Sequence, residues 1–438
     1  METTKNSRSS LLVKNVIASF ILKGWSAIVV LLMVPLTLEM LGEYNNGVWL
    51  TISSVLIWIN LMDIGLGNGL RNMVTNMIAI GDNEKVKEAI SSTFFMLVII
   101  VIPTLLLLCT IIWKFDIYSS FGIDATIVPD LKRILTIAIV LTANTFILKA
   151  VGNFYMGMQL PAVNNLIVGL GQTFSLLFTF LAYIAGSRSL FVVVLINTIV
   201  PFCVWLMSYP YTFIIKYPQY RPSLKYISLQ MSQSLCAKGV QFFVLQFCGV
   251  ILFSTTNIVI SKIFSPIEVT PYHVAYRYFN IMFVVFSTIC MPFWNATTDA
   301  YAKGDVEWIH KTGRKLDFLM LTVFIALTMM VIVSDYIYDI WLITDVYIPK
   351  KLSAITALYV FILILSQRYS FILNGLNVLR IQLVFTTIAT VVYLPLALYV
   401  CKLFGTVTSL VCVMCLVNTP GLIANFWKYN QVIYKQIK

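Results

Sequence analysis

The stretch Phe94-Phe-Met-Leu-Val-Ile-Ile-Val-Ile-Pro103-Thr-Leu-Leu-Leu-Leu-Cys-Thr-Ile-Ile-Trp113 runs for twenty residues without a charge. A helix of that length rises about 30 Å, the thickness of the hydrocarbon core of a bilayer. Lipid leaves backbone amides no partner outside the chain, so only helices and closed barrels span it. Barrel strands alternate apolar and polar residues over about ten positions, and this run does not alternate. It therefore reads as a transmembrane helix, and it sets the class of the whole chain.

Similar runs recur on both sides of it. Apolar segments fall at approximately 15–38, 46–66, 89–112, 131–153, 162–185, 189–210, 236–260, 271–296, 316–341, 352–374, 381–401 and 405–427. Over all 438 residues, 59% are hydrophobic and 11% charged, whereas soluble domains carry about 25% charge. The sequence predicts an all-α polytopic membrane protein with about twelve transmembrane helices. The segments between runs leave no room for a soluble domain. The first run carries Lys23 and lacks a small-residue cleavage site, so it reads as a retained helix and not a signal peptide.

The net charge of +12 would suggest nucleic acid in a soluble protein. Here the positive-inside rule explains it, and no nucleic-acid partner is expected. With the N-terminus placed in the cytoplasm, most of the 30 lysines and arginines fall in cytoplasmic segments. These include Lys5, Arg8 and Lys14, then Lys85 and Lys87, then Lys303, Lys311, Arg314 and Lys315. Both termini are expected to be cytoplasmic. Cysteine usage gives neither a disulfide framework nor a metal set: Cys412 and Cys415 form a lone CxxC inside a span. No cofactor is expected, and no catalytic motif stands out.

Weak internal repetition suggests two matched halves. Ala79-Ile-Gly-Asp82 leads into the third run and Ala302-Lys-Gly-Asp305 into the ninth, half a chain later. Glu43 and Glu268 hold corresponding places before the second and eighth. Residues 1–210 are expected to form an N-terminal lobe of six spans. Residues 211–235 are expected to be a cytoplasmic linker, and 236–438 a second six-span lobe. Repeats of this kind place a functional cavity between the halves.

Three cations lie inside apolar runs with no acid within a turn or two along the chain: Lys23, Arg277 and Arg368. A charge at mid-bilayer costs upward of about 2.5 kcal/mol and normally faces a bundle interior or a water-filled cavity. Lys23 shares a helix face with Asn15, Ser19 and Ser26, spaced four, four and three. His273, Arg277 and Asn280, with Ser287 beyond, make a similar face in the eighth run. Gln367, Ser370, Asn374 and Asn377 do so in the tenth, with Arg368 at the edge. The fourth run offers Thr142, Thr145, Lys149 and Asn153, where Lys149 either enters the cavity or snorkels to the interface. Lys23, Arg277, Arg368 and Lys149 are thus candidate anion-binding groups, and Asn15, Ser19, Asn280, Gln367 and Asn374 candidate polar lining. Asp63 stands alone inside the second run. It reads either as an ion-coupling or gating carboxylate or as a partner of Arg71. The glycines between Asp63 and Arg71 follow no strand, so close helix packing or fraying suits them better than a nucleotide loop.

Gly47-Val-Trp49, the run Asp63-Ile-Gly-Leu-Gly-Asn-Gly-Leu-Arg71, the Gly81-Asp82 turn and His273-Val-Ala-Tyr-Arg277-Tyr-Phe-Asn280 resemble bacterial polysaccharide repeat-unit flippases of the Wzx type. That family belongs to the MOP exporter superfamily, beside lipid II flippases and MATE multidrug transporters. The resemblance implies two six-helix lobes around a cationic central cavity in the bacterial inner membrane. It implies a polyprenyl-diphosphate-linked oligosaccharide as substrate, membrane lipids as surroundings and glycan polymerase machinery as a partner. The family places cations in the first and eighth spans, which match Lys23 and Arg277. Arginine is common in the first span there, so Lys23 is a departure: it offers a point charge in place of a bidentate fork. The expected activity is flipping repeat units of O-antigen, capsule or exopolysaccharide by alternating access, not enzyme chemistry. A MATE-like multidrug or cation antiporter and a membrane glycan polymerase are the alternatives. The first calls for acids in the cavity, and the second for a long catalytic outer loop.

Overall fold

The computed structural model describes the backbone of residues 2–59, 66–302, 306–342, 344, 346–376, 378 and 380–437. It describes their side chains except those of 2–16, 68, 79, 234–246, 253–254, 291–296, 298–302, 306, 375 and 433–437. Every regular element among the described residues is helical. Among the described residues nine helical stretches are long and apolar enough to cross a membrane, and the protein is a multi-pass membrane protein. The chain divides into two compact units, Met1–Gln246 and Phe247–Lys438.

The first unit opens on α1 (Glu2–Trp58). Its apolar part, Ile17–Trp58, is 42 residues long, about 63 Å at 1.5 Å per residue and twice the hydrocarbon thickness. The helix is broken at Gly42, where φ is +69° and ψ is 170°. That left-handed φ favours glycine, and it lies between the first and second apolar runs of the sequence. The short α2 (Leu66–Ala79) is amphipathic. Leu66, Leu70, Met73 and Val74 are buried, and Arg71 and Asn72 are exposed.

A turn with Gly81 at φ +76° leads to α3 (Asn83–Lys114), whose first turn is capped by Asp82. The Asp82 carboxylate accepts from the Lys85 amide at 3.0 Å and pairs with its ammonium at 3.0 Å. Those hydrogen bonds hold its carboxyl below the usual range. A five-residue α4 (Ile117–Phe121) lies in the following loop. The fourth apolar run becomes α5 (Leu131–Leu148) and α6 (Ala150–Gly157), joined at Lys149. Then come α7 (Pro161–Ile184) and α8 (Leu190–Pro210).

The segment expected to be a linker is docked onto this unit. A π-helical turn Tyr211–Lys216 continues α8, and two 3-10 turns follow at Pro218–Tyr220 and Leu224–Tyr226. The Tyr220 hydroxyl donates to Asn83 Oδ1 at 2.6 Å. The amides of Ser223 and Ser228 donate to the hydroxyls of Ser91 and Ser92. Phe154, Phe213, Tyr217 and Tyr220 form an aromatic cluster with centroids 5.4–5.8 Å from Phe154, and such pairs each add about 0.5–1.5 kcal/mol beyond burial. Three hydroxyl contacts and a ring cluster therefore fix what composition alone reads as a connector.

A long helix, α9 (Leu229–Ile263), ends in the second unit. It is followed by α10 (Val269–Ala302), α11 (Val306–Trp341), α12 (Lys350–Gly375), α13 (Arg380–Phe404) and α14 (Val407–Ile437). Helix α12 packs against α10, α11 and α14. Residues 303–305, part of the second copy of the repeat, lie outside the described residues, as does Asp63.

Candidate functional site

In the first unit Lys23 is exposed on α1, and the neighbouring Gly24 has open space where a side chain would begin. The helix packs against α7. Ser26 Oγ lies 3.4 Å from the position a Gly169 Cβ would take, and Trp25 Nε1 donates to Thr173 Oγ1 at 2.9 Å. Ser19, one turn before Lys23, has a buried hydroxyl oxygen without a hydrogen-bond partner among the described residues. The side chain of Asn15 lies outside them.

Lys149 is half-buried at the joint of α5 and α6, where its carbonyl accepts from the Gly152 amide at 2.9 Å. Gly152 is obligatory there: a Cβ would sit 2.1 Å from Asn164 Oδ1. Arg71 is exposed on α2, and its carbonyl accepts from Thr75 Oγ1, which also reaches the Gly157 carbonyl at 2.8 Å. Leu66–Arg71 of the glycine-rich run lie in α2, and residues 63–65 lie outside the described residues. Sequence reasoning missed a polar row on α7. Gln172 Oε1, Ser175 Oγ and Thr179 Oγ1 are buried without hydrogen-bond partners among the described residues. Their three-and-four spacing on one face is the signal that marks them.

In the second unit the two arginines are held in opposite ways. Arg368, on α12, is 1% exposed. The sequence reading gave it no acidic partner; the structure gives it Asp317 of α11, with Nη2 2.7 Å from Oδ1. The reason is the antiparallel course of α11 and α12. Asp335 and Lys350 meet at one end, Phe324 and Phe361 further along, and Asp317 and Arg368 near the other. Arg368 Nη2 also donates to the Gly313 carbonyl at 3.0 Å. Its guanidinium packs on the rings of Tyr369 and Tyr429, at 4.3 and 4.4 Å, and those two rings touch each other at 5.5 Å. Each such contact is worth about 0.5–2 kcal/mol. Gly313 makes room for this clamp, since a Cβ there would lie 2.1 Å from the Tyr429 hydroxyl.

Arg277, on α10, is half-buried. Its Nε donates to Nε2 of His273, one turn earlier, at 3.1 Å. None of the ion pairs among the described residues involves it. Asn280, on the same face, is also half-buried. Further along, Ser287 donates to Gln367 Oε1 of α12 at 2.8 Å, and Tyr276 approaches Tyr359 at 6.4 Å. These two contacts set α10 and α12 parallel. Arg368 therefore lies about level with Ser287, about 15 Å along the axis from Arg277 at 1.5 Å per residue. The tenth run's polar face is partly spent on packing. Asn374 Oδ1 accepts from Gln382 of α13 at 2.9 Å, and Ser370 accepts from Asn425 of α14 at 3.2 Å. Asn377 lies outside the described residues.

No family model matches the chain. Among solved structures it is similar to the inward-facing conformation of a multidrug resistance MATE family transporter of the MOP superfamily. The TM-score is 0.78 at 14% identity, over 93% of this chain and 95% of that one. It is also similar to a MOP superfamily transporter from Pyrococcus furiosus, whose binding pocket is described as having reverse polarity. There the TM-score is 0.69 at 13% identity, over 98% and 96%. The fold is that of the MOP-superfamily transporters.

Sequence similarity points to a narrower group. A Salmonella typhi protein named "Putative O-antigen transporter" is 22% identical over 365 residues, 80% of each chain. A Yersinia pseudotuberculosis protein named "Putative O-antigen export protein" is 20% identical over 355 residues, 79% of each.

Proposed function

We propose that the protein is a flippase that moves a polyprenyl-diphosphate-linked oligosaccharide across the bacterial inner membrane. One observation carries the reading: Arg277 sits within α10 with no carboxylate among its described ion pairs. A cation held in an apolar helix without a counter-charge calls for an anion from outside the protein. Lys23 on the first unit adds a second, exposed positive group. The similarity to two proteins named for O-antigen transport and export supports a glycan cargo.

In this reading the lipid tail stays in the bilayer while the diphosphate and sugars cross. Arg277 of the second unit binds phosphate oxygens, and Lys23 and Lys149 are the candidate anion-binding groups of the first unit. Asn280, Gln367 and Ser19 offer hydrogen bonds to sugar hydroxyls. Arg368 supports the second unit's helices, since its charge is already met by Asp317. The chain crosses the membrane twelve times, with both termini in the cytoplasm, and moves its cargo by alternating access. A potential negative inside favours outward movement of anion by about 2.3 kcal/mol per charge per 100 mV, or about 4.6 kcal/mol for two charges. Asp63 and Arg71 remain candidates for coupling or gating. The protein performs no covalent chemistry and hands its cargo to glycan polymerase machinery.

The fold neighbours raise a second reading, a cation-exporting antiporter. That activity asks for carboxylates facing the cargo, whereas the described polar face of α10 offers a cation, an imidazole and an amide. The test is reconstitution of the full chain in liposomes with a fluorescent lipid-linked oligosaccharide. Crossing is read as the share of label accessible to an external lectin. Protein-dependent crossing is expected. No crossing, together with protein-dependent uptake of a fluorescent cationic dye, would establish the antiporter instead.

A further inference from the structure

We infer that His273 is a positioning residue: it takes the Nε–H of Arg277 and thereby presents the guanidinium's two terminal amino groups to the cargo diphosphate. The inference rests on the transport reading above and adds the element that gives Arg277 its aim.

A guanidinium has two edges that match two phosphate oxygens. One is formed by Nε–H with a terminal amino group, the other by the two terminal amino groups. In α10 the first edge is occupied, because Nε donates to His273 Nε2 at 3.1 Å. The terminal amino groups have no hydrogen bond or ion pair to a described side chain. His273 and Arg277 are four apart, so they stack on one helix face and the contact needs no other element.

The identity of the acceptor matters as much as its place. An imidazole nitrogen that accepts must carry a lone pair, so His273 holds its proton on Nδ1 and is neutral. A neutral acceptor orients the guanidinium and leaves its full positive charge available. Aspartate or glutamate at position 273 would orient it equally well and cancel that charge. Arg368 shows the contrast within the same unit: its carboxylate partner Asp317 holds Nη2 at 2.7 Å, the guanidinium packs on two tyrosine rings, and its Nε and Nη1 are buried without a hydrogen-bond partner among the described residues. Fixing a long side chain before the ligand arrives lowers the ordering cost of binding.

The experiment uses the full chain in lipid nanodiscs with farnesyl diphosphate, a short polyprenyl diphosphate, as probe and farnesol as control. His273→Gln keeps a neutral acceptor and is expected to bind within about twofold of the parent. His273→Phe and His273→Leu keep bulk and lose the acceptor; roughly tenfold weaker binding is expected for the loss of one hydrogen bond to a charged group. His273→Glu keeps an acceptor but supplies a counter-charge, and is expected to be weakest. Lysine has no Nε–H to place, so with Arg277→Lys as background the Gln and Phe variants should bind alike. Melting temperatures identify which of the Phe and Leu variants folds. Unchanged affinity in a folded Phe or Leu variant overturns the inference, as does a loss that persists with Arg277→Lys. If the parent protein binds farnesyl diphosphate no better than farnesol, the transport reading fails and the role of His273 with it.

Discussion

Arg277 and Arg368 belong to the same unit, and their helices pack side by side. One is half-buried, held by a neutral imidazole with its charge unmet. The other is buried, ion-paired and packed on a pair of touching tyrosine rings. Charge in a span therefore has two meanings, and the partner decides between them. A carboxylate partner makes the arginine part of the scaffold; a neutral partner leaves it for a ligand.

That contrast can be broken by substitution. Arg277→Ala is expected to abolish glycan transport, a loss above about a hundredfold for a charge-assisted bidentate contact, with an unchanged melting temperature. Arg368→Ala is expected to lower the melting temperature, with transport falling only as folded protein is lost. A transport loss at full stability would move Arg368 into the substrate path.

Asp317→Ala strands the buried guanidinium. Breaking a fully buried pair costs about 3–5 kcal/mol; Asp317 is 55% exposed, so solvent screening brings the expectation to about 1–3 kcal/mol. Arg368→Met removes the charge along with its partner's task, and is expected to be less damaging than Asp317→Ala. The opposite order in thermal melts would show that the pair is not what holds α11 to α12. Gly313→Ala pushes a Cβ against the Tyr429 hydroxyl. It should cost about 1–3 kcal/mol by overpacking, and Tyr429→Phe in the same chain should restore part of it.

The smallest effect is expected at the turn before α3. The Asp82 carboxyl is held below its usual range by Lys85, so it adds stability above the ordinary carboxylate pKa of about 3.9. That contribution is lost as pH falls through the lower folded value. The melting-temperature difference between the parent and Asp82→Asn should be present at neutral pH and vanish in acid. A difference that grows in acid would contradict the assignment.

The membrane class and most helices were legible in the sequence because lipid imposes one demand, a run of apolar residues of set length. Twenty uncharged residues at Phe94–Trp113 became part of α3, and the Gly81-Asp82 turn became its cap. What the chain order hid were contacts between distant residues. Asp317 precedes Arg368 by two helix lengths, and only their antiparallel packing makes them a pair. The antiparallel order of consecutive spans was available from the sequence, and it would have suggested a partner. Residues 211–235 read as a cytoplasmic linker between the spans; the bonds of Tyr220, Ser223 and Ser228 to Asn83, Ser91 and Ser92 hold that segment against the first unit's helices. Arg277 and His273 were legible together because a four-residue spacing is local.

The most direct measurement compares the parent, Arg277→Lys and Arg277→Ala chains in liposomes carrying a fluorescent polyprenyl-diphosphate oligosaccharide. The account predicts crossing by the parent, slower crossing with lysine, where a point charge replaces the fork, and none with alanine in protein of unchanged melting temperature. Crossing at the parental rate by the alanine variant would contradict it.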